Sequence, residues 1–464
     1  MEDRGDSSDE SRATAAFARG TIGALLFCDD AAWVARRKHT VELLDDRTVR
    51  HKLSVDITLP HQVAGIPIPA PCIAPAFMLR KAPAELTNFD YQCPSGSLAL
   101  PTREENGTYS AEVLLEIAVK AADRGGVSRD RVISEVGPSV EEVARRDTLV
   151  AARIRSELLD TSRKPTDIHE ALAGDSQFCW LSELLETTCI VGYPIDDYEP
   201  RQVVKLSFDE SQLDLAEDTR PGYLNKRSFG WEGYLFWFEL PFIGSSSYHF
   251  EAVAPRGLEI IDCGVAVDSP DGEIYKRGLG LRERTHVYLR GAQTYRSGLG
   301  WALYRVYRGG FITGAVLSSA LVVASIGAAA AFAGSIARAP NNVTALLLLF
   351  PGALVALVYR PGRHELAMRL LHHARLLLLG VAGVAFAVAA RVAVLGSGRE
   401  KASTSTLRLE LSVAAGAATI AFVALVFTRL LPKAIEPSPI PGRYIEPTTS
   451  ESQGADQSVT DGQT

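Results

Sequence analysis

Few residues in this sequence have the types and spacing to do chemistry on their own. The nearest approach to a metal cluster is His364-Glu365 followed by His372-His373. A zinc-protease helix needs two histidines one turn apart with a glutamate base between them, and this spacing does not supply them. His51, Asp56 and His61 also stand close together. Alternate residues of a strand face opposite ways, so His51 falls on the apolar side and Asp56 on the polar side. They read as a core histidine beside a surface aspartate. The acidic turn Asp196-Asp197-Tyr198-Glu199 could hold a cation, but Pro194 and Pro200 bound it as a solvated turn. Gly244-Ser245-Ser246-Ser247 lacks the pattern of a nucleophile elbow and reads as a loop. No phosphate-cradling GxxxxGK[ST] and no HExxH occur. The sequons at Asn106 and Asn342 read as chance matches. No catalytic residue, metal ligand or cofactor is therefore expected.

The elements that would carry any site divide the chain in two. Over 464 residues, 48 Lys+Arg against 55 Asp+Glu leave a net charge of −7, and the mean hydropathy is +0.06. Those values suit a folded chain with a membrane part, and they give no reason to expect nucleic-acid binding. The six cysteines are scattered without a CxxC, which fits reduced thiols better than a disulfide framework. Arginine far outnumbers lysine, which reads as genome composition rather than chemistry, and the overall layout suits a bacterial membrane protein. Residues 1–16 are acidic, Ser-rich and expected to be disordered, without the pattern of a secretory signal.

Residues 17–300 are expected to form a β-rich cytoplasmic domain with a helical insertion at about 105–187. HTVELL and TVRHKLSVDITL alternate around Asp45-Asp46 as a hairpin, with Val49, His51, Leu53, Val55, Ile57 and Leu59 on one face. The Pro-rich stretch 61–75 should break regular structure, and residues 93–96 read as a turn. Helical periodicity covers 108–124, closed by Gly125-Gly126, then about 128–136, then a helix from Pro138 to Leu159, then 166–187. Strands are expected at 188–193, 203–208, 232–240, 247–254, 258–267 and 285–291. Apolar on both faces, the aromatic run Gly230–Phe242 reads as a central strand, and 292–308 as a linker.

Residues 309–430 form the membrane region, with spans at about 311–337, 344–359, 376–395 and 411–427. The second is short and holds Pro351-Gly352. Lys and Arg crowd before the first span and between the second and third, which places both termini in the cytoplasm. The loop 359–375 reads as a solvated connector, with an amphipathic helix lying on an anionic leaflet as the alternative. Within the spans Arg391 is the one charge, and it is expected to meet Glu410 at the start of the last span. Gly314/Ser318, Ala320/Ala324, Gly327/Ala331 and Ser412/Gly416 offer small-residue faces for helix packing or a homo-oligomer. The tail 434–464 is expected to be disordered and available to a docking partner.

The fold class expected is an α+β soluble domain, β-sandwich-like with a helical insertion, followed by an all-α four-helix transmembrane bundle. The function expected is a membrane-anchored cytoplasmic binding, sensory or scaffolding module. The alternative is a membrane-bound enzyme with an active site assembled from distant residues. Its partners would be the lipid bilayer, a protein bound by the soluble domain or the tail, and a second copy of the chain, with no nucleic acid.

Overall fold

The computed structural model describes residues 18–29, 33–45, 48–63, 65–81, 86–162, 166–196, 201–211, 234–240, 245–269, 272–281, 283–290, 298–307, 310–336, 353–354, 356, 364–396 and 403–430. Both termini, the second expected span apart from residues 353, 354 and 356, the sequon at Asn342 and the turn residues 197–199 lie outside that set.

Strands β1 (Val34–Leu43) and β2 (Thr48–Ile57) form the expected antiparallel hairpin. β-Branched and aliphatic residues alternate with charged ones along both, which suits a sheet with one buried face. Two short strands, β3 (Gln62–Val63) and β4 (Ile66–Pro67), follow, and then β5 (Cys72–Arg80). The proline-rich stretch thus leads into a strand instead of ending structure. Pro75 sits where the register shifts in the pairing of β5 with β8 (Thr188–Ile195), a place where no ladder hydrogen bond is lost. Strands β6 (Leu86–Cys93) and β7 (Gly96–Leu98) flank the expected turn.

Five helices come next: α2 (Arg103–Asp123), α3 (Arg129–Arg145), α4 (Thr148–Leu159), α5 (Asp167–Gly174) and α6 (Ser176–Thr187). Before β1 the chain forms α1 (Ala18–Cys28). Pro138 does not start a helix but lies inside α3. Its missing N–H and ring clash cost roughly 3 kcal/mol. Val132, Val136, Val140 and Val143 keep one buried stripe on both sides of it, and that stripe holds the helix together. The break falls instead at Asp147, which caps α4.

Strands β9 (Gln202–Ser211), β10 (Tyr234–Leu240), β11 (Ser247–Val253), β12 (Leu258–Ser269), β13 (Gly272–Arg277), β14 (Leu279–Leu281), β15 (Arg284–Arg290) and β16 (Gly298–Val306) complete the soluble part. It is an α/β region with a mixed eight-stranded sheet, ordered β14-β15-β11-β1-β2-β9-β6-β7, in which β1 and β11 run parallel. A four-stranded sheet, β10-β16-β12-β13, lies over part of its inner face. The expected linker therefore carries β16, an inner strand between β10 and β12, and the aromatic strand β10 lies at the edge. Gly264 makes the β12–β16 pairing feasible, because a Cβ there would sit 2.1 Å from the Trp301 ring.

Three apolar clusters result. One joins α1–α6 to Met78 and Ile190. Another fills the space between β5–β8 and the sheet around Trp33, Val55 and Leu206. The third begins between the two sheets, at Val41, Phe236, Phe250 and Tyr304, and runs without interruption into the apolar helices.

Those helices are α7 (Phe311–Ala331), the single turn α8 (Ala333–Ile336), α9 (Glu365–Leu370), α10 (His372–Gly396) and α11 (Thr404–Leu430). Among the described residues α7, α10 and α11 are long and apolar enough to cross a membrane: three helices, where the sequence suggested four. The Arg375 guanidinium lies 5.6 Å from the Phe311 ring, so α7 and α10 start at the same level. Gly334 lies near Thr404, and the Arg391 Nε is 3.0 Å from Glu410, so α11 runs antiparallel to both. The expected Arg391–Glu410 pair is present. The loop 359–375 contains α9, whose described residues are more than a solvated connector because one face of the helix is buried. Leu366, Ala367 and Leu370 are buried against the soluble part, and His364 Nε2 donates to the Leu43 carbonyl at 3.2 Å. Of the small residues, Gly327 and Gly416 face open space.

Candidate binding cavity

A cavity of about 690 Å³ opens between α1, the N-terminal half of α2, β5–β8, Tyr91 of β6 and the segment 98–101 that leads from β7 into α2. Its walls follow from close packing of short residues. Gly20 on α1 meets the α2 backbone so closely that a Cβ would lie 2.7 Å from the Glu112 carbonyl oxygen. That approach lets Arg19 reach across, and its Nη2 donates to Glu112 Oε1 at 2.8 Å. α2 itself starts with a capping box: Thr102 accepts from the Glu105 amide, and Glu105 accepts from the Thr102 amide. This fixes the chain direction at the rim, where Leu98, Leu100 and Pro101 enter the wall.

Two tyrosines floor the cavity. The Tyr109 hydroxyl donates to the Ile73 carbonyl at 2.9 Å, and the Tyr91 hydroxyl donates to the Gly192 carbonyl at 3.2 Å. Both are buried, and desolvation raises both phenol pKa values. They serve as walls, with their protons already committed. Asn106 Nδ2 donates to the Pro101 carbonyl, and Thr108 Oγ1 donates to the Glu104 carbonyl. Glu112 differs. Its Oε2 is buried and has no hydrogen-bond partner among the described residues. Burial raises its carboxyl pKa above the ordinary value, and the Arg19 bond and the charges of Arg19 and Arg145 offset this only in part.

A second polar feature crosses the inner face of the large sheet between two apolar clusters. The Tyr248 hydroxyl lies 3.2 Å from His39 Nδ1, and His39 Nε2 lies 2.9 Å from His51 Nδ1. His51 Nε2 is 2.9 Å from Glu210 Oε2, although the angle is too bent for a full hydrogen bond. Glu210 also pairs with Arg80 at 3.3 Å. Adjacent strands β11, β1, β2 and β9 place these groups in one row. With His39 neutral, one consistent arrangement has the Tyr248 hydroxyl donate to His39 Nδ1 and the His39 Nε2–H donate to His51 Nδ1. Desolvation, helped by His51, lowers the His39 pKa well below its ordinary value. Burial pushes Glu210 up, but His51 and Arg80 outweigh it and leave the carboxyl low. Tyr248, His39, His51 and Glu210 are all buried and none of them lines the cavity, so the row braces the sheet.

The outer face of the same sheet carries charge ladders. Asp209 accepts two bonds from Arg50 and one from Asn88; Glu251 holds Lys38 and Arg284; Asp56 holds Arg201 and Arg36. The carboxylates are 2–7% exposed and their arginine and lysine partners 36–64%. Asp56 is thus buried beneath its partners and not the surface aspartate expected from alternation. Elsewhere the buried Lys81 donates to the Val143 carbonyl at 2.7 Å and closes the end of α3, and desolvation lowers its pKa to about 8.

The residues singled out in the sequence do not converge. His364 caps α9 and bonds the β1–β2 hairpin, while His372 and His373 open α10 with their rings 5.6 Å apart. Among the described residues no three His, Cys, Asp or Glu side chains gather closely enough to hold a metal ion. His51 meets His39, not Asp56. Asn106 is buried in α2 and cannot accept a glycan. The cavity residues Arg19, Tyr91, Tyr109 and Glu112 were not read as a site. The available signal was α2 itself: a helix buried on nearly every side cannot carry Tyr109, Glu112 and Glu116 without assigning each a partner. Glu116 has one in Arg129, at 2.7 Å. No protein-family model and no curated protein matches the chain.

Proposed function

We propose that the protein is a membrane-anchored binding module, with its ligand seated in the cavity between α1, α2, β5–β8 and the segment 98–101. The observation that carries this reading is the cavity's lining. A floor whose tyrosine hydroxyl protons are already committed to backbone carbonyls, with no nucleophile paired with a base among the described lining residues, suits recognition better than turnover. The volume lies in the range of small-molecule sites, roughly 300–1,000 Å³. The apolar cluster that runs from the sheets into α7, α10 and α11 supports a mechanical link between the soluble part and the membrane helices.

The orientation proposed has both termini in the cytoplasm. α7 and α10 start beside the soluble part and α11 returns toward it, which supports one side for the domain and the last helix end. The far end of α7 and the start of α9 lie at opposite ends of the bundle, so the chain has to return once between Ile336 and His364. The apolar stretch 344–359 is the sequence suited to that crossing. Trypsin added to intact cells should leave tags at both ends whole, and digestion of either tag would overturn the orientation.

Binding is tested on the full chain in lipid nanodiscs against a panel of anionic, neutral and cationic small amphiphiles. At least one class should raise the midpoint of thermal unfolding, because a ligand that binds the folded state alone stabilises it. Chemical conversion of a bound compound would overturn the binding reading in favour of an enzyme.

A further inference from the structure

We propose that His249 and His286 form a two-ligand site for a divalent transition ion that favours right-angled coordination, of the nickel and copper class. The site is separate from the cavity and stands on the outer face of the large sheet, on the antiparallel strands β11 and β15. Tyr248 and Phe250 face the core on either side of His249, which turns His249 outward. The register pairs His249 with Tyr288 and Glu251 with His286, so the two imidazoles are diagonal neighbours within reach of each other. His249 Nδ1 lies 2.9 Å from His286 Nε2, and the rings stack with centroids 5.0 Å apart. The Tyr288 ring packs on His249 at 5.0 Å and limits its rotation. His286 is exposed and His249 half-buried, so ions in solution reach the pair.

The separation of the nitrogens decides the class of ion. Imidazole nitrogens bind such ions at about 2.0–2.1 Å. Two nitrogens 2.9 Å apart then subtend about 90° at the ion, the angle between neighbouring ligands in square-planar or octahedral coordination. A tetrahedral zinc site would need them about 3.3 Å apart. In the hydrogen bond one of the facing nitrogens carries the hydrogen. As the ion enters, that imidazole moves its proton to its other ring nitrogen, so both facing nitrogens become ligands and no proton is released. Charge narrows the class further. Lys38 stands beside His249 in register, Lys38 and Arg284 share the Glu251 carboxylate, and Arg36 pairs with Asp56. Magnesium and calcium, which seek carboxylate oxygens, meet only oxygens already held by cations, whereas nitrogen coordination is still on offer. Water completes the shell. Two protein ligands fall short of the three or four that hold a resident ion, so the ion exchanges with solution.

The test is calorimetric titration of the full chain, without a polyhistidine tag, in lipid nanodiscs at neutral pH with nickel, zinc and magnesium chlorides. Nickel is the probe because copper would also oxidise thiols. Nickel should bind more tightly than zinc, and magnesium should not bind at this pair. His286→Gln and His249→Gln should each weaken nickel binding about tenfold or more, since losing even a group that only supports a ligand costs ten- to hundredfold. Nickel that does not bind, or that binds both folded variants as tightly as the unaltered chain, overturns the site. Zinc bound more tightly than nickel overturns the right-angled geometry. A readout on the unaltered chain covers a variant that fails to fold: nickel should protect both histidines from carbethoxylation by diethyl pyrocarbonate, read by mass spectrometry. Equal modification with and without nickel overturns the site.

Discussion

The row Tyr248–His39–His51–Glu210 ties the stability of the sheet to pH. The folded state holds His39 neutral because burial penalises its cation, so the folded pKa lies below the ordinary 6.5. As pH falls between those two values, the unfolded chain takes up a proton that the folded chain refuses, and stability is lost. Glu210 works in the same direction at lower pH. Its folded carboxyl pKa lies below the ordinary 4.5, so its contribution is present above that value and fades as pH falls toward the folded one. Each site alone contributes a slope of at most about 1.4 kcal/mol per pH unit. His39→Gln removes the first titration. The unfolding midpoint of the detergent-solubilised variant should then fall less steeply from about pH 6.5 downward than that of the unaltered chain. Parallel slopes for the two proteins would show that His39 does not couple proton uptake to unfolding.

At the scale of elements, periodicity was a reliable guide where one face alone is buried. The β1–β2 hairpin, β9, β11 and α2 lie where alternation or helical spacing puts them, and the three long apolar helices announce themselves by composition. Reading failed where a neighbour decided the outcome. Pro138 looks like a helix start, but the valines packed on both sides of it hold α3 continuous. Residues 292–308 look like a tether. Their second half is an inner strand because Gly264, across the ladder, leaves room for the Trp301 indole. Both faces of β10 are apolar, yet it ends up at a sheet edge, since hydrophobicity alone does not encode strand order. The cavity was illegible for a related reason. Arg19, Ile73, Tyr91 and Glu112 come from α1, β5, β6 and α2, and no local spacing connects them. His39 and His51 lie on paired strands, but the meeting of their rings depends on which strand faces become the core.

For the whole molecule, the consequential feature is that the soluble part and the membrane helices share one apolar core. α9 is the joint. Leu366, Ala367 and Leu370 are buried in that cluster, Ala367 lies against the turn at Gly257, and His364 bonds the end of the β1–β2 hairpin. A domain tethered by a loose linker would transmit nothing to its anchor. Here the hairpin touches α9, and α9 leads directly into α10, which contacts α7 through Arg375 and Phe311, so a continuous chain of contacts joins the sheet to the apolar helices. Leu366→Asp is the direct test. A buried, unpaired carboxylate costs about 3 kcal/mol or more unless the contact opens, so opening is the expected relief. Hydrogen exchange on the full chain in nanodiscs should speed up at residues 43–45, 255–258 and 364–371. The amides of α2 and α3, whose cluster is separate, should keep their protection. If protection is lost uniformly, the substitution has unfolded the protein; if none is lost near the hairpin, α9 is not what fastens the sheet to the membrane helices.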